Sequence, residues 1–324
     1  MRALLAGLPD ASPAHLYELL PEYPSRRGKG LRAALCLAAC SVFGGDVGRA
    51  VNSAVAIELF HNAFLIHDDI QDESEQRRGE PTLSARYGPA IALNVGNATN
   101  LLGLQRIRAN REILGGTLAW QIFEETETML RQSLEGQAIE LGWIRDNVDG
   151  LGQDDYFRMC LKKTSWYTCV YPCRLGASIA RDGRGDAGVL DRFGWFLGAA
   201  FQIQDDVLNL VGSREEYGKE ILGDLYEGKR TLMVIHLQGV LRGEDRERLR
   251  AFLRTARRDR NEQDVRWIRE QLDRCGSIDA AVRTAADLAD AAEREADAVL
   301  GDAVAGHDRD FLLALPQYVI TRRR

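Results

Sequence analysis

The stretch FLIHDDIQDESEQRRGEPT, residues 64–82, decides the fold: an apolar run with helical spacing breaks into six acidic residues and two arginines. On a helix, Asp68 and Asp72 stand one turn apart on one face, while Asp69 lies about 100° around the axis. Carboxylates at the C-terminal end of a helix oppose its macrodipole and repel one another unless a cation lies between them. A solvated helix end is the plainer reading of the same acids, and GQDDYFRM, residues 152–159, shows how that case looks: Asp154 and Asp155 begin a helix, where acid is favoured. That pair is set aside.

Working outward, the apolar run AIELFHNAFLIHDDIQD has an echo more than a hundred residues later in WFLGAAFQIQDDVLN, residues 195–209. Asp205 and Asn209 share a face there as Asp68 and Asp72 do, with one charge fewer. The cation that suits such pairs is Mg²⁺, which takes oxygen ligands, keeps several waters and binds one or two carboxylates together with substrate phosphates. Two facing helices of this kind would hold a polyanion, most simply a diphosphate.

Helical periodicity runs through the rest of the chain, and strand signals are nearly absent. Helices are expected at about 13–22, 28–44, 47–69, 86–110, 117–145, 153–181, 186–211 and 229–241, with shorter amphipathic ones from about 245 onward. Breaks fall where Gly, Pro and charge cluster, at residues 44–46, 77–82, 180–186 and 211–230. No Pro/Ser linker divides the chain, so one all-α domain over residues 1–324 is expected. Residues 1–24 form a helical extension and residues 241–324 a peripheral, Arg/Asp/Glu-rich helical layer.

Composition bounds the function. The 324 residues are 45% hydrophobic, enough for a large core, and the apolar runs are too short to span a membrane. A cytoplasmic protein is expected. The net charge of −6 argues against a general nucleic-acid binder. Six cysteines in a chain of this length fit reduced buried thiols; Cys36/Cys40 and Cys169/Cys173 each sit one turn apart without a histidine near in sequence to complete a zinc site. Among 42 basic residues only five are lysine, namely Lys29, Lys162, Lys163, Lys219 and Lys229, and every one falls in a motif of interest. RRGKGLR places Lys29 and Arg32 at a helix start, RRG supplies Arg77 and Arg78, KKT supplies Lys163 and Thr164, and YGKEILGDLYEGK supplies Lys219 and Lys229. Arginine forks and lysine point charges are the usual phosphate ligands.

At these residues the sequence resembles the trans-prenyltransferases, the all-α isoprenyl diphosphate synthases, from about residue 25 to the C-terminus. The matching pieces are GKGLR, HDDIQD followed by RRGEPT, KKT, FQIQDDVLN and GKEILGDLYEGKRTL, in fitting order and spacing. The resemblance implies long helices bundled around a central cavity, a homodimer, and Mg²⁺, three ions when diphosphate is bound. Carried over residue by residue, it makes Asp68, Asp72 and Asp205 metal ligands. It places Lys29, Arg32, His61 and Arg78 at the isopentenyl diphosphate site, and Arg77, Lys163, Thr164, Gln202, Lys219 and Lys229 at the allylic diphosphate site. A lone histidine on an apolar helix is ordinarily a core residue, yet His61 stands two turns before Asp68, where the family has its phosphate-binding histidine. His67 has no such match and reads as structural. Asp69, Glu73, Ser74 and Glu75 are left as support or solvated surface.

The implied reaction is head-to-tail condensation: the allylic C–O bond breaks, the isopentenyl double bond attacks the carbocation, and a proton leaves, with pyrophosphate the expected acceptor. Closure of the 211–230 segment is expected to exclude water. Two positions depart from the family pattern. Asn209 replaces the last acid of the second motif, and Asn97 replaces the usual acid of the Gly-Asp pair in the fourth helix. The runs NVGNATNLLGLQRI and EGQAIELGWIRDN resemble geranylgeranyl diphosphate synthases. Small Ala63, five residues before Asp68, lets a growing chain pass, with Phe64 and Phe60 as bulkier neighbours or ordinary core. A C20 product is expected, with farnesyl diphosphate as the competitor. Two other readings stay open: a class I terpene cyclase, whose second motif started from Asn209 is met at Ser213 but would need acids where Leu210 and Tyr217 stand, and a silent regulatory subunit, kept alive by Asn97 and Asn209.

Overall fold

The expected periodicity forms helix nearly throughout, and the fold is all-α. The computed structural model describes residues 12–26, 28–212, 221–301 and 306–322. The long helices are α1 (Leu31–Val42), α2 (Val47–Gln71), α3 (Pro89–Leu114), α4 (Gly116–Arg145), α5 (Gln153–Cys160), α6 (Tyr171–Ala180), α7 (Asp191–Val211), α8 (Leu232–Val240), α9 (Gly243–Arg254), α10 (Glu262–Arg274), α11 (Ser277–Leu300) and α12 (His307–Thr321). Local chemistry sets their ends. Asp46 caps α2 by accepting the Gly48 amide at 2.8 Å, and Asp72 is its last, half-in residue. Pro89 opens α3, where a missing N–H costs nothing. Asp155 accepts the Gly152 amide at 3.0 Å, so the acids set aside at 154–155 do begin a helix.

The chain resolves into two compact units. The first comprises residues 1–130, 167–194 and 295–313, the second residues 131–166, 195–294 and 314–324. In the first, α2 packs along α3 and α1 along α6, and the core gathers Ile57, Phe60, Ile107, Ile122, Tyr171 and Leu175. Cys36, Cys40 and Cys173 are buried, free thiols in this unit, and burial pushes their pKa values up, Cys40 to about 11. In the second, the core joins Tyr156, Ile203 and Val207 to Leu249, Phe252, Val265, Ile268 and Leu272. The charged C-terminal helices therefore turn an apolar face inward while their Arg, Asp and Glu residues face solvent.

Two local features differ from the expected layout. Residues 76–81 form a small antiparallel hairpin, Gln76–Arg77 paired with Glu80–Pro81, in which both central residues, Arg78 (φ 56°) and Gly79 (φ 79°), adopt the positive φ of a type I′ turn. The expected helix over 153–181 is continuous but changes pitch, with Leu161–Val170 wound as a π-helix between α5 and α6. Such segments are rare and occur often at functional sites.

Candidate active site

In the first unit, the acids at the end of α2 divide sharply by environment. The Asp69 side chain is 1% exposed, that of Asp68 22%. Asp69 accepts hydrogen bonds from Tyr23 Oη and from Arg77 Nε, the latter at 2.7 and 2.8 Å to its two oxygens. Arg77 Nη2 also donates to Asp68 Oδ2 at 3.1 Å. Burial opposes the charge on Arg77, but Asp69 and then Asp68 outweigh it and hold the guanidinium firmly protonated. The same burial, with Asp69 beside it, pushes the Tyr23 phenol well above its ordinary value. Asp69 is therefore not surface: it anchors the hairpin arginine, which also reaches Asp68. The Asp72 carboxylate is buried at the helix end.

One face away, the cations expected for isopentenyl diphosphate gather in the same unit. Buried Arg32 donates to Thr168 Oγ1 (2.9 Å) and Tyr167 Oη (3.0 Å), and its guanidinium lies 4.5 Å over the Tyr167 ring. Its Nη1 is 3.3 Å from His61 Nε2. Since an arginine can only donate, Nε2 accepts and the imidazole proton sits on Nδ1. That nitrogen and Arg32 Nε are both buried without a hydrogen-bond partner. Burial, then Arg32, Arg78 and Arg77, hold the His61 pKa well below its ordinary value, so the ring is neutral. Arg78 lies against the backbone at Gly28, and burial with its cationic neighbours Arg77, Arg32 and Arg26 lowers its pKa. Lys29 is exposed at the start of α1, and Glu58 caps that helix from α2 by accepting the Ala33 amide at 3.2 Å.

Ala63 is fully buried on α2; Phe64 meets Tyr167 edge-on at 5.2 Å, and Phe60 packs on Gly103 within the core. His67 lies against Gly96.

The second unit repeats the division of roles. The Asp205 side chain is 36% exposed and pairs with Arg322, whereas Asp206 is 6% exposed. Asp206 accepts from Tyr156 Oη at 2.8 Å and from Gln202 Nε2 at 2.7 Å. Gln202 Oε1 in turn accepts from Thr164 Oγ1 at 2.6 Å, so four side chains form one line. Burial and then Asp224 push the Asp206 pKa well above the ordinary carboxylate value. Lys163 pairs with Glu140 on α4. The π-helical segment carrying Lys163 and Thr164 is seated by close backbone approach: a Cβ on Gly136 would fall 2.2 Å from the Lys163 nitrogen, and one on Gly198 2.5 Å from Ser165 Cα. Asn209, 3% exposed, accepts the Asp224 amide at 3.1 Å, and Lys229 pairs with Glu227 (2.6 Å) and Asp224 (3.6 Å). Lys219 lies outside the described residues, as do the other residues of 213–220 in the segment expected to close.

Several participants were assigned no role by the motifs. Tyr23, Arg26, Tyr167, Thr168, Glu140, Tyr156 and Arg322 join through tertiary contacts that a linear reading does not reach. Among the described residues, no group of three or more His, Cys, Asp or Glu converges as a ready metal cage. Each unit instead offers a partly exposed hard oxygen donor, Asp68 in one, one turn before the buried Asp72, and Asp205 in the other. That suits an ion which takes one or two carboxylates and completes its shell with water and phosphate.

Residues 13–272 match the polyprenyl synthetase family. The chain belongs to that family, and with it to the trans-prenyltransferases expected from the motifs. It is similar to the short chain isoprenyl diphosphate synthase of Methanothermobacter thermautotrophicus, 32% identical over 76% of this chain and 74% of that protein. It is also 32% identical to the geranylgeranyl diphosphate synthase of Saccharolobus solfataricus, over 64% of this chain and 62% of that protein, just under two thirds of its length. The crystal structure of a polyprenyl synthase from Caulobacter crescentus, complexed with calcium and isoprenyl diphosphate, matches with a TM-score of 0.88 and 27% identity over 100% of this chain and 93% of that one.

Proposed function

We propose that this polyprenyl synthetase domain condenses isopentenyl diphosphate with an allylic diphosphate, head to tail, to give geranylgeranyl diphosphate. The observation that carries the reading is the set of buried donors without acceptors at His61 Nδ1 and Arg32 Nε, in the field of Arg78 and Arg77. Unpaired buried donors are costly, and a cluster of them around cations is an anion site prepared in advance. Here it takes the diphosphate of the isopentenyl substrate.

Asp68 and Asp72 in the first unit and Asp205 in the second are the proposed Mg²⁺ ligands, for three ions in the substrate complex. Bound Mg²⁺ supplies electrostatic stabilisation of the negative charge that grows on the leaving diphosphate. Lys163, Thr164, Gln202, Lys219 and Lys229 bind that allylic diphosphate, and Arg77 contributes by fixing Asp68. The neutral His61 donates from Nδ1 to the isopentenyl diphosphate and leaves its charge to the arginines. No side-chain base is assigned to the final proton loss; the departing pyrophosphate takes it. The apolar walls around Ala63 and Phe64 keep water from the carbocation.

Named relatives of geranylgeranyl type support the C20 product, as does the small side chain at Ala63. A homodimer is supported by apolar side chains exposed along α3 and the start of α4, namely Leu93, Leu101, Ile113, Trp120 and Phe123. A cytoplasmic location fits the finding that, among the described residues, no helix is long and apolar enough to cross a membrane.

Incubation with Mg²⁺, isopentenyl diphosphate and each allylic diphosphate in turn, followed by chain-length analysis, tests the reading. A C20 product is expected. No elongation with any starter sinks it, and a cyclised hydrocarbon from one allylic substrate alone replaces it with a cyclase. Ala63→Phe should shift the product to shorter chains; an unchanged distribution removes Ala63 from the cavity floor.

A further inference from the structure

Arg26 opens the RRGKGLR run but is given no role there, and it touches none of the residues expected to bind metal, yet it is 5% exposed. A guanidinium that deeply buried is normally paired with a carboxylate. Here its near partners are backbone carbonyls of the hairpin: Nη2 donates to Pro81 O at 2.7 Å and Nη1 to Arg77 O at 3.4 Å. Its carboxylate neighbours are more distant, Glu22 at 3.5 Å and Glu80 at 3.9 Å. The Tyr23 ring, which also donates to Asp69, lies 4.4 Å beneath it. The clasp is reciprocal. Arg78 Nη1 donates to the Arg26 carbonyl at 3.0 Å, and its guanidinium rests where a side chain on Gly28 would otherwise be, 3.0 Å from that Cβ position.

The geometry points to Arg26 as a positioning residue for the isopentenyl diphosphate site: it straps the 76–81 hairpin to the segment before Lys29 and so fixes the Arg78 fork. Arg78 needs such a strap. It is a non-glycine residue at φ 56°, a strained conformation that persists only where its surroundings hold it. The strap also sets a buried positive charge near Arg78. Arg26 thus acts on the substrate through Arg78 and through the local potential, without touching it.

The inference rests on the reading of Arg78 as a diphosphate ligand, and the experiment separates the two. Steady-state kinetics on Arg26→Met, Arg26→Lys and Arg78→Ala, each checked for a native melting transition, should show an isopentenyl diphosphate KM raised about tenfold in Arg26→Met, from lost preorganisation. The allylic KM should stay within about twofold, because the strap serves one diphosphate only. Arg26→Lys, which keeps the charge but loses the fork, should recover part of the loss. If Arg78→Ala leaves the isopentenyl KM unchanged, the site reading fails. If Arg78→Ala raises it while Arg26→Met does not, or if Arg26→Met raises both KM values alike, the positioning role fails. Hydrogen exchange on the wild-type chain covers the case in which the Arg26 variants do not fold. Isopentenyl diphosphate should slow exchange in residues 76–81 and around Arg26 together, and protection of one segment without the other overturns the proposal.

Discussion

The two aspartate pairs, Asp68/Asp69 and Asp205/Asp206, look interchangeable in sequence and share one device in the structure. In each, the first carboxylate is partly exposed and the second is buried against a tyrosine hydroxyl, Tyr23 for Asp69 and Tyr156 for Asp206. What differs is the rest of the buried shell. Asp69 faces the Arg77 guanidinium, whereas Asp206 faces the neutral carboxamide of Gln202. A buried carboxylate with a cation is stable as an ion pair; one with neutral donors alone is driven toward its protonated form. The first pair is thus held by charge and the second by a hydrogen-bonded line reaching Thr164.

That difference makes the two sites respond unequally to the same substitution. Asp69→Asn leaves Arg77 buried with only Asp68 as a counter-charge, and should cost about 3 kcal/mol of unfolding free energy in urea titrations. Asp206→Asn removes a poorly compensated charge and keeps most of the hydrogen-bond geometry, so its cost should stay under about 1 kcal/mol. Equal losses would break the comparison.

The pH dependence follows the same division. Asp206 has a folded pKa above its unfolded value. Its contribution to stability is therefore complete below about pH 4 and is lost as pH rises toward the raised value. Relative to wild type, Asp206→Asn should gain stability between pH 4 and pH 7. His61 runs the other way: its lowered folded pKa leaves stability intact above about pH 6.5 and erodes it as pH falls below that. His61→Gln should flatten the acid limb of the wild-type stability curve. A variant curve parallel to wild type over either window would mean that the named residue does not carry it.

The comparison also explains what the sequence could show. Helix spacing alone brought out Asp68 with Asp72 and Asp205 with Asn209, because a 3.6-residue period is a local property. The positions of Lys163, Thr164 and Gln202 followed from motif order. Helix phase set Asp69 off the face of Asp68 but could not say that it is buried, since that environment is made by Tyr23, 46 residues away, and by a hairpin too short to register as strand. Arg-Gly at its turn lacks the Asn or Asp that usually announces positive φ. The π-helical winding of residues 161–170 was equally silent, for it depends on Gly136 and Gly198 admitting the backbone rather than on any pattern within the segment.

Asn209 sharpens the comparison last, as the position where the second motif lacks an acid that the first has in Asp72. Its Oδ1 takes the Asp224 amide, and its carbonyl takes the Leu222 amide at 2.9 Å, so the residue ties α7 to the turn Gly223–Glu227. Asparagine does this without adding charge to a neighbourhood that already holds Asp206 and Asp224. An aspartate could make the same hydrogen bonds, but a third carboxylate there raises the cost of burial. Asn209→Asp should therefore lower stability by about 1 kcal/mol without metal. The deficit should shrink when Mg²⁺ and inorganic pyrophosphate are added, as measured by the shift in melting temperature against wild type. A variant as stable as wild type in the absence of Mg²⁺ would show that the neutral side chain is not required by its surroundings. A deficit that Mg²⁺ leaves unchanged would show that the side chain at 209 is purely a structural tie.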